Sequence, residues 1–174
     1  MLLDNKKIKE ILLSENYLRA ADITKAEKAA ASNGRSLTEE LLSDNLLTKE
    51  VLGQALAEYY GVAFLDLAKE KIDTKIFWQV PESLALAKQI VAVNETKGVV
   101  RLAMVDPSDK SSAKLVAKKL GLSAKVYLVF PADLNEALTL YQGSLADEFK
   151  AVLATLNDSK LDHEAKDEVI IKIV

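Results

Sequence analysis

His163 is the only histidine in the 174 residues, and there is no cysteine. Metal sites built on paired imidazoles or thiolates are therefore unavailable, and so is a thiol nucleophile. His163 lies in Asn157–Glu168 (NDSKLDHEAKDE), a polar, linker-like stretch, and reads as a solvated loop residue. A Ser–His–Asp triad would need that stretch to fold back onto the body. The six glycines stand at 34, 53, 61, 98, 121 and 143, and none is followed by lysine. No phosphate-cradling P-loop or GxG turn can be written from them. Carboxylates are plentiful, but no pair stands apart from a charged surface. The inventory assigns no catalytic residue and no metal ligand.

Two sets of residues could recognise a partner. Phe77 and Trp78 lie between charged segments. They fit an aromatic plug between two subdomains, or an exposed anchor of the kind interfaces favour. Lys114, Lys118 and Lys119 share the polar side of a helix expected over 109–120 and read as a solvated face rather than an anion site.

The elements that must position these residues begin with a repeat. Leu12–Leu18 reads LLSENYL and Leu41–Leu47 reads LLSDNLL, an offset of 41 − 12 = 29 residues. Ile8, Ile11 and Leu12 keep helical spacing, as do Leu37, Leu41 and Leu42, then Val51, Leu52, Ala55, Leu56 and Tyr59. Asn16 and Asn45 sit just past helix ends, where a left-handed residue is needed. Thr48 caps the helix after the second copy, and Asp22 or Thr24 the helix after the first. Neither helix pair buries its stripe alone, so the two pack together.

After Gly61 the period changes. Val62–Leu67 reads as an extended stretch, Lys69–Asp73 as a loop and Pro81–Lys88 as a short helix. Gln89–Val93 and Val99–Val105 read as strands joined by the polar turn Asn94–Gly98. A helix closed by Gly121, a strand at Val126–Phe130 and a helix carrying Leu134, Ala137, Leu138 and Tyr141 follow, with Asp133 and Glu136 spaced as a capping pair. The expected class is α+β, a tandem helix-turn-helix bundle followed by a small ββαβα sandwich and a flexible linker. The expected divisions are 1–61, 62–143 and 144–174, the last a helix and linker toward a further domain.

Composition sets the outer limits. Net charge is −3, with 49% hydrophobic residues. That balance disfavours nucleic acid as a partner. No apolar run reaches the ~18 residues of a membrane span, and the charged start does not fit a signal peptide. The expected place is the cytoplasm.

This order of elements resembles the N-terminal region of the secretion-traffic ATPases, the GspE/PilB type of type II secretion and type IV pilus assembly. The resemblance rests on Leu37, Leu41, Leu42, Asn45, Leu46, Leu47, Leu52, Ala55 and Leu56, then YYGVAFLDL at Tyr59–Leu67. It continues through KIFWQVPESLALAKQIVAV, VVRLAMVDPSDKSSAKLVAKKLG, FPADLNEALTLYQ and DEVIIKIV. It implies a non-catalytic docking and regulatory piece that binds the inner-membrane platform protein. Its own hexameric ATPase domain, with ATP and Mg, would lie downstream of residue 174, so no cofactor is expected here. Contact with the membrane would run through partners, without direct insertion.

In one branch of the family the tandem motif binds cyclic di-GMP, and a sensing module is the alternative reading. The candidate ligand positions here are Lys7, Ile8, Leu12, Leu37, Leu41 and Tyr59, with Arg35 adjacent to the motif's arginine position and turned ~100° away on a helix. The polar positions depart from the family pattern. Ser36, Thr38 and Tyr59 stand for Arg, Gly and Gln in the second copy, and Lys7, Lys9 and Ala30 in the first. A lysine is a point charge and does not replace a bidentate arginine.

Overall fold

The computed structural model describes residues 4–141. Residues up to Ala137 belong to one compact unit, and Leu138–Tyr141 to a second. The helix candidate ending near Leu156, the linker with His163 and the tail at Val169–Val174 lie outside the described residues.

The repeat builds α1 (Asn5–Ser14), α2 (Ala20–Asn33), α3 (Leu37–Ser43) and α4 (Lys49–Tyr60). Both copies close their first helix in the same way. Asn16 and Asn45 take left-handed φ values of 53° and 52°. The amide of Tyr17 then donates to the Leu12 carbonyl at 3.0 Å, and that of Leu46 to Leu41 at 3.1 Å. Asn16 donates to Leu13 and Asn45 to Leu42, both at 3.2 Å, which completes a Schellman turn in each copy. The short polar side chain of Asn makes this conformation tolerable without Gly.

Expected caps hold at Thr48, whose hydroxyl accepts from the Val51 amide, and fail at α2. That helix starts at Ala20, with Arg19 at the cap position. Asp22 is instead drawn into a bidentate pair with Arg19, and the Thr24 hydroxyl donates back to the Ala20 carbonyl. A side chain already paired within the first turn is no longer free to cap it.

α1 packs on α4, and α2 on α3, so the first helix of each copy meets the second helix of the other or its neighbour across the joint at Gly34. Leu12, Ile23, Leu37, Leu41 and Leu52 are fully buried in their shared core. Leu128 and Phe130 enter that same core from the sheet side. The helical layer and the sheet are therefore joined by common apolar burial.

The sheet is four-stranded, in the order β1 (Ala63–Phe64), β4 (Ser123–Leu128), β3 (Val99–Met104), β2 (Ile90–Thr96). β1 and β3 both run parallel to β4, while β2 and β3 form an antiparallel hairpin. The expected extended stretch at Val62–Leu67 shrinks to two residues, because a 3-10 turn begins at Leu67. The hairpin turn is tighter than the expected Asn94–Gly98. Lys97 and Gly98 both have positive φ, 53° and 77°, as a two-residue turn between twisted strands requires. The register of β2 on β3 shifts between Ala92 and Asn94.

A short helix absent from the sequence reading, α5 (Thr74–Phe77), precedes α6 (Glu82–Lys88). α7 (Lys110–Leu120) makes the parallel crossover from β3 to β4, and its Asp109 cap accepts from the Ser112 amide at 3.0 Å. α8 spans 131–141, so Asp133 is already inside it and does not cap it.

Gly53 fixes the seat of α4 on β1. A Cβ built there would fall inside the van der Waals envelope of the Phe64 ring. Phe64 in turn meets Phe130 edge-to-face, with centroids 5.3 Å apart.

Candidate functional site

The residues matched to the ligand motif separate into two groups. Leu12, Leu37 and Leu41 have no exposed surface, and Ile8 is 5% exposed. They hold the bundle together and leave little surface for a ligand.

The polar positions of α1 and α4 come together. Lys7 projects from α1 so that its Nζ lies 4.9 Å from the centroid of the Tyr59 ring on α4. The same ammonium holds Glu10 at 3.0 Å. That hydrogen bond, with the Glu10 charge, raises the Lys7 pKa above its ordinary value. Tyr59 is half-exposed and sits edge-on to Tyr60, with centroids 5.3 Å apart.

The matching positions of the second copy are occupied by a cap. The Ser36 hydroxyl accepts from the Glu39 amide at 3.2 Å, and the Glu39 carboxylate accepts from the Ser36 amide at 2.8 Å. Thr38 Oγ1 lies 3.0 Å from Ser36 Oγ. The Ser36 amide, then its hydroxyl, hold the Glu39 carboxyl below its usual range. Arg35 turns toward α3, 3.4 Å from the Ser43 hydroxyl and 3.7 Å from Glu40. Glu40 itself is buried, and its other oxygen accepts from the Asn33 side chain at 2.9 Å.

Beside Ser36 and Thr38 lies a cavity of about 170 Å³, with Ile8, Leu56, Tyr60 and Phe130 among its apolar walls and Asn5 also at its polar side. Small-molecule pockets typically enclose ~300–1,000 Å³.

Phe77 and Trp78, adjacent in sequence, part company in space. Phe77 is fully buried, whereas Trp78 is 52% exposed at the C-terminal cap of α5. The mount is stiff. The Asp73 carboxylate accepts from the Lys75 amide at 3.0 Å, and the Asp73 amide donates to the Val93 carbonyl at 2.8 Å. Val80, two residues on, is 1% exposed. A short helix pinned to β2, with Ile76 and Phe77 buried, thus holds one large aromatic face toward solvent. The exposure of Trp78 leaves it open to a partner. Phe77 is a core residue of the sandwich, on a helix that packs on β2, rather than a plug between two subdomains.

Two ionic clusters escaped the sequence reading. Lys49 bridges Asp66 at 2.7 Å and Asp133 at 2.8 Å, tying α4 to the 3-10 turn and to α8. Lys69 meets Asp66 at 3.0 Å and also Glu50. Glu50, then Asp66, push the Lys69 pKa up to about 12. Burial works to raise the Asp66 pKa, but the bonds from Lys49 and Lys69 outweigh it and hold the carboxyl low. Arg101 forms a bidentate pair with Glu70, at 3.0 and 3.2 Å, and lies over Tyr127. No spacing rule marks pairs separated by 17, 31 or 84 residues, so these were invisible before the fold. Each basic group is committed to carboxylates, and among the described residues no cluster of acids and histidines fit for a metal occurs.

The fold is one of tandem helices seated on a small mixed sheet. The sequence matches the MshEN domain over residues 60–148, half of the chain, and the chain belongs to that family. It is similar to the type IV pilus assembly ATPase PilB of Myxococcus xanthus, at 21% identity over 152 residues, 87% of this chain and 27% of that protein. It is also similar to PilB of Thermus thermophilus, at 26% identity over 129 residues, 73% of this chain and 14% of that protein. The chain thus spans about a quarter or less of these relatives. The fold matches a structure of MshE with cdg at a TM-score of 0.54 and 21% identity, covering 77% of this chain and 97% of that one. The expected α+β class and the resemblance to the N-terminal domains of these ATPases both hold. No helix among the described residues is long and apolar enough to cross a membrane.

Proposed function

We propose that this chain is the docking and regulatory domain of a secretion-traffic ATPase of the type IV pilus or type II secretion kind. It binds the cytoplasmic part of the inner-membrane platform protein and performs no chemistry itself. The observation that carries this reading is Trp78, half-exposed on a helix whose flanking residues Phe77 and Val80 are buried. A rigid aromatic costs little entropy to immobilise, and tryptophan dominates interface energetics. Similarity to PilB supplies the setting.

In the same reading the bundle at 1–61, the sandwich at 62–143 and the segment 144–174 act in series between platform and motor. The protein works in the cytoplasm, peripheral to the membrane through its partner. ATP and Mg belong to a domain beyond residue 174. Sequencing the native gene past Val174 tests this part: a GxxxxGK[ST] motif within a few hundred residues supports the motor, and a stop codon contradicts it. Docking is tested by pull-down with the platform protein's cytoplasmic domain. Retention of the wild-type chain and loss with Trp78→Ala are the expected pair.

A cyclic di-GMP sensor is the second reading. The fold match to MshE with cdg favours it. The engagement of Lys7 with Glu10 and Tyr59, and of Ser36 with Glu39, weighs against it. Losing charge-assisted contacts worth roughly 1.5–3 kcal/mol each removes micromolar affinity.

A further inference from the structure

We infer that the outer face of α7 is a docking surface for an acidic amphipathic helix of a protein partner, with a row of Lys110, Lys114 and Lys118, Leu115 beside it and Lys119 beyond.

α7 reads KSSAKLVAKKL and contains no Asp or Glu. Its buried arc, Ser112, Ala113, Val116 and Ala117, is spent within the fold, where the helix packs on β4. The four lysines occupy the exposed arc, and Leu115 among them is 54% exposed. None of the four meets a carboxylate among the described residues. Asp109, the residue just before the helix, is taken by the helix cap and by Lys88 at 3.6 Å. Elsewhere the surface interleaves its charges: Lys7 holds Glu10 on α1, and Arg19 holds Asp22 at the start of α2.

A face of this kind is unfavourable in the free chain. Lys110 and Lys114, and Lys114 and Lys118, are i,i+4 neighbours of like charge. The helix macrodipole accounts for Lys118 and Lys119 in the last turn, but it opposes Lys110 in the first. Acids from a partner would relieve both penalties at once. The face is concentrated charge on a chain whose net charge is −3, so overall composition does not explain it.

The chemistry selects the occupant. A membrane-surface helix must insert an apolar face, and the apolar face of α7 is already buried, with Leu115 exposed and Leu120 partly so. A nucleic-acid surface would use arginine forks and stacking aromatics, and this face has neither. An acidic helix fits. Carboxylates at i and i+4 rise ~6 Å apart, the rise between successive lysines of the row, and one apolar side chain between them covers Leu115. The surface lies on a different helix from Trp78, and the inference does not depend on platform docking.

The test uses the whole 174-residue chain and two labelled peptides of identical composition, Ala, Glu and Leu. One places Glu at i, i+4 and i+8 beside a Leu stripe, and the other is scrambled. By fluorescence anisotropy the patterned peptide should bind about tenfold more tightly than the scrambled one. Lys114→Glu with Lys118→Glu should abolish that preference, and Leu115→Ser should reduce it severalfold, with circular dichroism unchanged. Equal binding of the two peptides overturns the inference, leaving only unspecific attraction. So does tighter binding to vesicles containing anionic lipid than to the patterned peptide, which assigns the face to a membrane. A dimer in sedimentation that the double charge reversal dissolves also overturns it, by assigning the face to a second copy.

Discussion

Lys7 of α1 and Tyr59 of α4 satisfy each other, with the ammonium 4.9 Å from the ring centroid. These are the positions at which the resemblance places an arginine and a glutamine that reach a ligand. In this chain they close a contact between the two repeat copies. Calorimetry with cyclic di-GMP at tens of micromolar is expected to give a flat titration. A saturable heat would show that the pair opens and would restore the sensing reading.

Gly53→Ala tests the seat of the helical layer on the sheet. In an isolated helix Ala is favoured over Gly by roughly 0.8–1 kcal/mol. Here the new Cβ meets the Phe64 ring, and overpacking costs about 1–3 kcal/mol. The net expectation is a lower denaturation midpoint. Adding Phe64→Leu should recover part of the loss, and simple additivity of the two changes would contradict the contact.

The twin turns give a paired prediction. Asn45→Gly should leave stability unchanged or slightly raised, because Gly adopts the positive φ of 52° freely. Asn45→Ala should cost about 1–2 kcal/mol. Asn16 should behave alike in chemical denaturation, since its turn has the same hydrogen bonds.

Much of this was legible in the chain. The repeat, the Asn turns and the α7 stripe obey local rules, which depend only on neighbours within a few residues. α5 was missed because Thr74–Phe77 is too short to show a period, and its stability comes from docking on β2. β4 was placed late because Ser123 and Ala124 are exposed in it and give no apolar signal. The opposite fates of Phe77 and Trp78 could not be read at all. Adjacent residues in one turn are split by where the sheet lies, which is a tertiary fact. The Lys49 bridge is invisible in the sequence for the same reason.

That bridge predicts a pH signature. Lys49→Met leaves Asp66 and Asp133 without their common cation and should cost roughly 1–3 kcal/mol at neutral pH. The Asp66 pKa is depressed in the fold, so its contribution is present above its unfolded value and disappears as pH falls through the folded one. The difference between wild type and variant should therefore narrow below about pH 4 in urea titrations. A constant difference across that range would remove Asp66 from the account.

The most direct test of the docking role is the affinity of the chain for the platform protein's cytoplasmic domain, measured by interferometry for wild type and Trp78→Ala. The expectation is saturable binding by the wild type and a loss of 2 kcal/mol or more, about thirtyfold, in the variant. Equal affinities, or no binding by this chain where the full-length motor binds, would contradict it.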